Sequence, residues 1–164
     1  NQNIDSFFGW VKGAKLVELK ECNTEEDPVR PELDNDFRTG YGRKIYGVEY
    51  KSEIHAVMCF AYTNNIPKSV EELEKLSTDA FLQSAMRDQN GGQIAIAYTV
   101  WSKKKGGGKL IVKEVFKKIK KSNHLNRLVT LSPLTEMATN FHKKNGAKLV
   151  QINETTQNFE YKVL

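Results

Sequence analysis

The sequence predicts an α/β fold, a mixed central sheet flanked by helices, in one domain over residues 1–164. Three observations carry this. The run QIAIAYTVW (93–101) is apolar and β-prone, as a central strand must be, and an amphipathic stretch and a second strand, RLVTLS (127–132), follow it. A β–α–β passage of this kind requires parallel strands joined by a right-handed crossover. KIYGVEY (44–50) and IHAVMCFAY (54–62), separated by KSE, form a hairpin signal, and AKLVQIN with QNFEYKVL forms a second pair at the end of the chain. Hairpins on both sides of a parallel unit make the sheet mixed.

In chain order, DSFFGWVK predicts a short helix capped by Asp5, and KLVELKE a first strand. Residues 22–43 are polar and contain Pro28 and Pro31, so they predict a long, mobile loop. After the hairpin, Ser69 and Glu72 stand at capping-box spacing and start a helix at SVEELEKL. A second helical piece covers about 79–87, and NGG (90–92) ends it. The helix over about 109–121 carries Ile111, Val112, Val115, Phe116 and Ile119 as one apolar stripe. EMATNFHKKNGAKL (136–149) predicts another helix, with Met137, Ala138 and Phe141 on its core face and Gly146 closing it. His142 then falls at the edge of that face.

No apolar run approaches the length of a membrane span, and no basic start leads into an apolar signal region. Only two cysteines occur, Cys22 and Cys59, without CxxC or a His/Cys cluster, which argues against a structural zinc and for a reducing, cytoplasmic setting. Cys59, inside an apolar strand, reads as a small buried hydrophobe. The net charge of +5 is unevenly spread: residues 103–121 hold nine lysines against the single Glu114. Such a patch suits a phosphate-bearing ligand, or is simply a solvated helix face. No aromatics interleave with the lysines and no RRM or KH signature is present, which argues against nucleic acid.

KKKGGG (103–108) joins the central strand to the amphipathic helix. A helix start offers free N–H groups and partial positive charge, and glycines let a ligand approach closely. The spacing is neither a Walker A loop nor a GxGxxG fingerprint. The alternative is a plain turn with solvated lysines.

The position of this loop resembles the pyrophosphate loop of the GCN5-related N-acetyltransferase (GNAT) superfamily, which binds coenzyme A between its fourth strand and third helix. Lysine stands where that family has Gln or Arg. The resemblance implies CoA binding by Trp101, Lys103, Lys104, Lys105, Gly106, Gly107, Gly108 and Lys109. Within that superfamily, ATNFHKKNGAKL (138–149) is similar to a signature helix of the malonyl-CoA decarboxylases; AYTVW (97–101), LVTLSP (128–133) and NFEY (158–161) resemble other segments of the same family. That resemblance implies catalytic roles for Ser132, His142, Tyr161 and Thr99, a malonyl-CoA or acetyl-CoA thioester as substrate, and no metal. The glutamate that the family carries beside its loop has no counterpart here.

Taken singly, these residues also fit purely structural roles. Ser132 before Pro133 fits a helix N-cap, His142 a packed or surface histidine, and Tyr161 a core aromatic. Their joint occurrence favours an acyl-CoA enzyme of the decarboxylase type, with His142 handling the proton at a pKa near neutrality. An N-acetyltransferase and a non-catalytic CoA-binding domain are the alternatives.

Overall fold

The computed structural model describes residues 10–87 and 91–162. The predicted cap Asp5 and the start of its helix lie outside them; residues 10–13 are helical. Eight strands form one sheet: β1 (Lys15–Leu19), β2 (Lys44–Tyr50), β3 (Glu53–Thr63), β4 (Ile94–Ser102), β5 (Arg127–Thr130), β6 (Ser132–Pro133), β7 (Ala147–Ile152) and β8 (Thr156–Tyr161). β1 to β4 pair antiparallel in sequence order, β4 and β5 run parallel, and β8 pairs antiparallel with β5, β6 and β7. Tyr161 pairs with both Leu128 and Ala147, so β5 and β7 occupy opposite edges of β8. β6 follows β5 along one edge, as a single strand broken at Leu131.

The helices are α1 (Asn35–Thr39), α2 (Val70–Arg87), α3 (Gly107–Lys120) and α4 (Glu136–Lys144). The two helical pieces expected after Ser69 are one helix, α2, whose Glu72 N–H donates to the Ser69 hydroxyl at 3.1 Å. α3 buries Leu110, Ile111, Val112, Val115 and Ile119 against one face of the sheet, with Phe60, Ala97 and Phe159. The other face packs Cys59, Ile96, Tyr98, Trp101, Val129 and Leu131 under Leu33, Phe37 and Val70.

Residues 22–43 are not the long loop that their polarity predicts. A 3-10 turn (Thr24–Glu26) and α1 interrupt them, and four of their charged side chains, Asp27, Arg30, Arg38 and Arg43, are buried. Arg38 Nη1 donates to Asp27 Oδ2 at 2.9 Å, with both side chains fully removed from solvent. Its other nitrogens reach the Leu33 and Arg30 carbonyls. Asp27 Oδ1 accepts from the Val29 and Arg30 N–H groups and from the Thr99 hydroxyl, the last at 2.7 Å. A segment polar enough to look like a loop is thus fastened to β4 by a saturated ionic network.

Removing one member of a buried ion pair strands the other charge and costs about 3–5 kcal/mol. Arg38→Met is expected to lose that much in urea unfolding, and Asp27→Asn combined with Arg38→Met less than the two single losses added. A loss below about 1 kcal/mol in the single variant would mean that the pair does not hold this segment.

Candidate functional site

The site begins where two strands part. β4 and β5 pair from Ile94↔Arg127 to Ala97↔Thr130, and Leu131 N–H donates to the Ala97 carbonyl at 2.9 Å. Beyond this point β4 continues to Ser102 against β3, while β6 turns to β8. A notch results, walled on one side by the β5-facing edge of Tyr98–Ser102. A bulge lies at its apex: Cys59 pairs with Thr99 and Phe60 with Ala97, so Tyr98 is the extra residue. The bulge places consecutive side chains on one face, since Tyr98 packs with Cys59 and Thr99 reaches Asp27, the partner of Arg38.

Arg30 spans the apex. Its Nε donates to the Tyr98 carbonyl at 2.9 Å and its Nη2 to the Leu131 carbonyl at 3.1 Å. Burial pulls its pKa below the ordinary value, and no salt bridge engages it among the described residues. Sequence patterning gives no pointer to this residue beyond its place between two prolines, in a stretch whose polarity predicts a loop.

At its far end β4 runs into the glycine turn. Gly106 has φ +86°, a left-handed conformation natural to glycine, and caps α3 without any side-chain bond. Gly107 and Gly108 are required by space instead: a Cβ would lie 2.4 Å from Ser102 Oγ and 2.8 Å from the Phe141 ring respectively. Gly107 N–H is taken by the Lys104 carbonyl. The amides of Gly108 and Lys109 are the first-turn donors with no backbone acceptor among the described residues, and no acid stands in that turn.

The lysines divide. Lys103 pairs with Glu26 at 2.8 Å, and Lys104 lies 5.1 and 5.2 Å from the ring centres of Trp10 and Tyr50. Lys105 and Lys109 flank the helix start. Trp101 points to the opposite face, buried beneath the Arg38 guanidinium, and its indole N–H has no partner among the described residues.

α4 closes the site by packing Phe141 against Gly108. Its register differs from expectation. Met137 is 81% exposed, whereas His142 is 5% exposed. The cap is Thr135, whose hydroxyl accepts from Ala138 N–H, so Ser132 does not cap this helix. His142 stacks on Phe159 at 5.3 Å, and its Nδ1 lies 2.7 Å from the Tyr161 hydroxyl. Burial drives the imidazole down to about 4, not near neutrality as the sequence suggested, and drives the Tyr161 phenol up. The ring is therefore neutral at pH 7. Ser132 is buried too, 2.8 Å from the Thr130 hydroxyl, which accepts from Phe159 N–H.

The structure thus joins His142 to Tyr161 directly, sets Ser132 and Thr130 against the same Phe159 segment, and turns Thr99 to the other face. A separate cleft lies at the C-terminal half of α3, between Tyr46, Phe60, Tyr62, Phe81 and Lys118, and contains none of these residues.

A parallel strand pair that splays at a bulge, followed by a glycine turn into a helix, decides the architecture. The fold is that of the GNAT superfamily. A GNAT-like decarboxylase, GphF in complex with isobutyryl-CoA, superposes with a TM-score of 0.66 at 10% identity, over 90% of this chain and 98% of its own. An acetyltransferase from Bacillus subtilis in complex with CoA gives 0.62 at 13% identity, over 92% and 99%. A malonyl-CoA decarboxylase from Cupriavidus metallidurans gives 0.54 at 16% identity over 87% of this chain, which spans 37% of that protein. No protein-family model matches the chain. No curated relative matches it. Among the described residues, no helix of this GNAT fold is long and apolar enough to cross a membrane.

A buried neutral histidine is linked to pH. Its folded pKa of about 4 lies below the ordinary 6.5, so the unfolded chain binds the extra proton between these values. The stability is fully present above 6.5 and is lost as pH falls through 4, by about 3 kcal/mol at 1.36 kcal/mol per pH unit. His142→Gln should flatten that part of the pH–stability curve measured by denaturant unfolding. Parallel curves for the two proteins would show that the ring titrates normally.

Proposed function

We propose that this chain binds a CoA thioester in the β4–β5 notch and decarboxylates a malonyl-type acyl group. The observation that carries the reading is the β4 edge beyond the apex, Thr99–Ser102, which pairs with no strand on its β5 side among the described residues and leads directly to the first-turn amides of α3. The pantetheine arm is a chain of amides and pairs with an open strand edge as an added strand would. The pyrophosphate meets the Gly108 and Lys109 N–H groups. Lys105 and Lys109 supply the mobile positive charge, since Lys103 and Lys104 already have partners. The solved structures of this fold that hold CoA or isobutyryl-CoA support the ligand class.

Decarboxylation breaks the bond between the α-carbon and the carboxylate. The electron pair remains as a thioester enolate, CO2 leaves, and a proton from solvent completes acetyl-CoA. The neutral His142 suits the enolate step. With the Tyr161 hydroxyl donating to Nδ1, Nε2 carries the hydrogen and donates to the developing oxyanion. Ser132, held by Thr130, is the second hydroxyl within this apolar region. Arg30 receives the substrate carboxylate at the apex, and Thr99 acts from a distance by holding the bulge through Asp27. An N-acetyltransferase is the second reading, supported by the fold shared with the Bacillus subtilis enzyme.

Incubation with malonyl-CoA, followed by mass spectrometry, should yield acetyl-CoA and CO2. Release of free CoA only when acetyl-CoA meets an amine would give the acetyltransferase reading instead. No thermal stabilisation by millimolar CoA, acetyl-CoA or malonyl-CoA would reject both. His142→Asn should lower kcat about 100- to 1,000-fold with CoA affinity unchanged, as loss of an oxyanion donor does. Because the donor is neutral, kcat should not fall between pH 6 and 8, where an imidazolium acid titrating at the ordinary 6.5 would be lost.

Lys105→Ala with Lys109→Ala should weaken CoA binding and lower its salt sensitivity, leaving kcat at saturation intact. Unchanged affinity in titration calorimetry would make these lysines solvated surface only.

A further inference from the structure

The two cysteines are far apart in sequence and are contacted by two residues of one helix, Asn35 and Arg38. Asn35 holds Cys22 by three contacts: Cys22 N–H to Oδ1 at 3.0 Å, Cys22 Sγ to Oδ1 at 3.5 Å, and Asn35 Nδ2 to the Cys22 carbonyl at 3.0 Å. Arg38, three residues along α1 and so on the same helix face, donates from Nη1 to Cys59 Sγ at 3.5 Å. Cys22 packs against the buried cluster that contains Cys59. Both sulfurs therefore sit over one short helix face, one half-buried and one fully buried. CoA binding in the notch involves neither thiol.

We propose that Cys22 and Cys59 are a reversible disulfide site, with Cys22 oxidised first by hydrogen peroxide and Cys59 resolving the product. The geometry sets the order. Cys22 has access to solvent, whereas Cys59 has none. Their interaction and Arg38 pull the Cys22 thiol below its ordinary value, and the same interaction with burial pushes Cys59 well up. Of the two thiols, Cys22 is thus the one more readily ionised.

In the first step the Cys22 thiolate attacks the peroxide oxygen. The O–O bond breaks, a sulfenic acid forms, and one water leaves after protonation. Oxidation of Cys22 removes the thiol interaction that raises Cys59, while Arg38 at 3.5 Å still favours the Cys59 thiolate. Cys59 attacks the Cys22 sulfur, the S–O bond breaks, and a second water leaves. Two thiols lose two electrons to one peroxide, which is reduced to water. This inference does not depend on CoA binding.

The test is hydrogen peroxide titration of the whole chain, followed by intact mass and thiol counting under denaturing conditions. The expected result is loss of two hydrogens and both free thiols within a monomer, a cross-linked peptide pair containing Cys22 and Cys59, and full recovery with dithiothreitol. Cys59→Ala should trap a Cys22 sulfenic acid that dimedone labels. Cys22→Ser should leave Cys59 unmodified at the same peroxide dose. Two free thiols after peroxide, a disulfide between two chains, or oxidation of Cys59 in the Cys22→Ser variant would each overturn the proposal. Cys59→Ala leaves a core cavity, so its melting curve is compared with wild type. If it does not fold, the wild-type cross-link and the Cys22→Ser result decide alone.

Discussion

Everything at the notch hangs on the buried carboxylate of Asp27. It neutralises Arg38, gathers two backbone amides and accepts the Thr99 hydroxyl, so one side chain ties residues 22–43 to the bulge of β4. A bulge leaves a residue unpaired and bends its strand. Here the bent strand is gripped from below by Thr99 and from the side by Arg30 on the Tyr98 carbonyl. Without that grip, β4 and β5 would be free to zip further and close the opening. The ionic network is thus more than a stabiliser of the segment that carries it: it keeps a gap in the middle of a sheet.

The break between β5 and β6 is the matching device on the opposite wall. Leu131 interrupts the strand, and side chains mend the ladder. Phe159 N–H goes to the Thr130 hydroxyl, and Asn158 Nδ2 serves the Thr130 and Pro67 carbonyls. Buried backbone groups left without partners are costly, so a gap in a sheet persists only where such substitutes exist. The same repair places Thr130 and Ser132 next to Phe159, on which His142 stacks. Chain connectivity and hydrogen-bond completion, rather than any contact between Ser132 and His142, bring the two walls of the site together.

The sheet was legible in the sequence and the site only in part. Lys44–Tyr50 and the parallel unit follow from apolar patterning, which is local. Residues 22–43 misled because charge signals exposure on average, and their burial depends on Thr99, 72 positions away. The glycine turn was readable, but not that Gly107 and Gly108 are demanded by Ser102 and Phe141. On α4, apolar patterning assigns the core face to Met137, yet the phase is set by the bond between His142 and Tyr161 and by Phe159 beneath the ring. A nine-residue helix gives too few apolar positions to fix its own rotation. The motif pointed to His142, but its electrostatic state came from burial, which a motif does not contain.

The charge balance of the second face bears on the acyl group. Arg30, Arg38 and Arg43 are all buried there, and of these only Arg38 has a carboxylate in ion-pair range among the described residues. Arg43 is met by the Phe37 carbonyl, the Ser77 hydroxyl and the Phe37 ring. Arg30 has two carbonyls and remains charged, since guanidinium does not deprotonate in proteins. Glu32 and Asp27 act on it from beyond ion-pair range, so its charge is balanced only in part, and a buried cation of this kind suits a binding group. Its position at the apex of the notch, where a bound acyl group would end, suits an acid-bearing acyl chain better than an acetyl group. Arg30 is thus a test of the proposed acyl group that does not pass through the motif around His142.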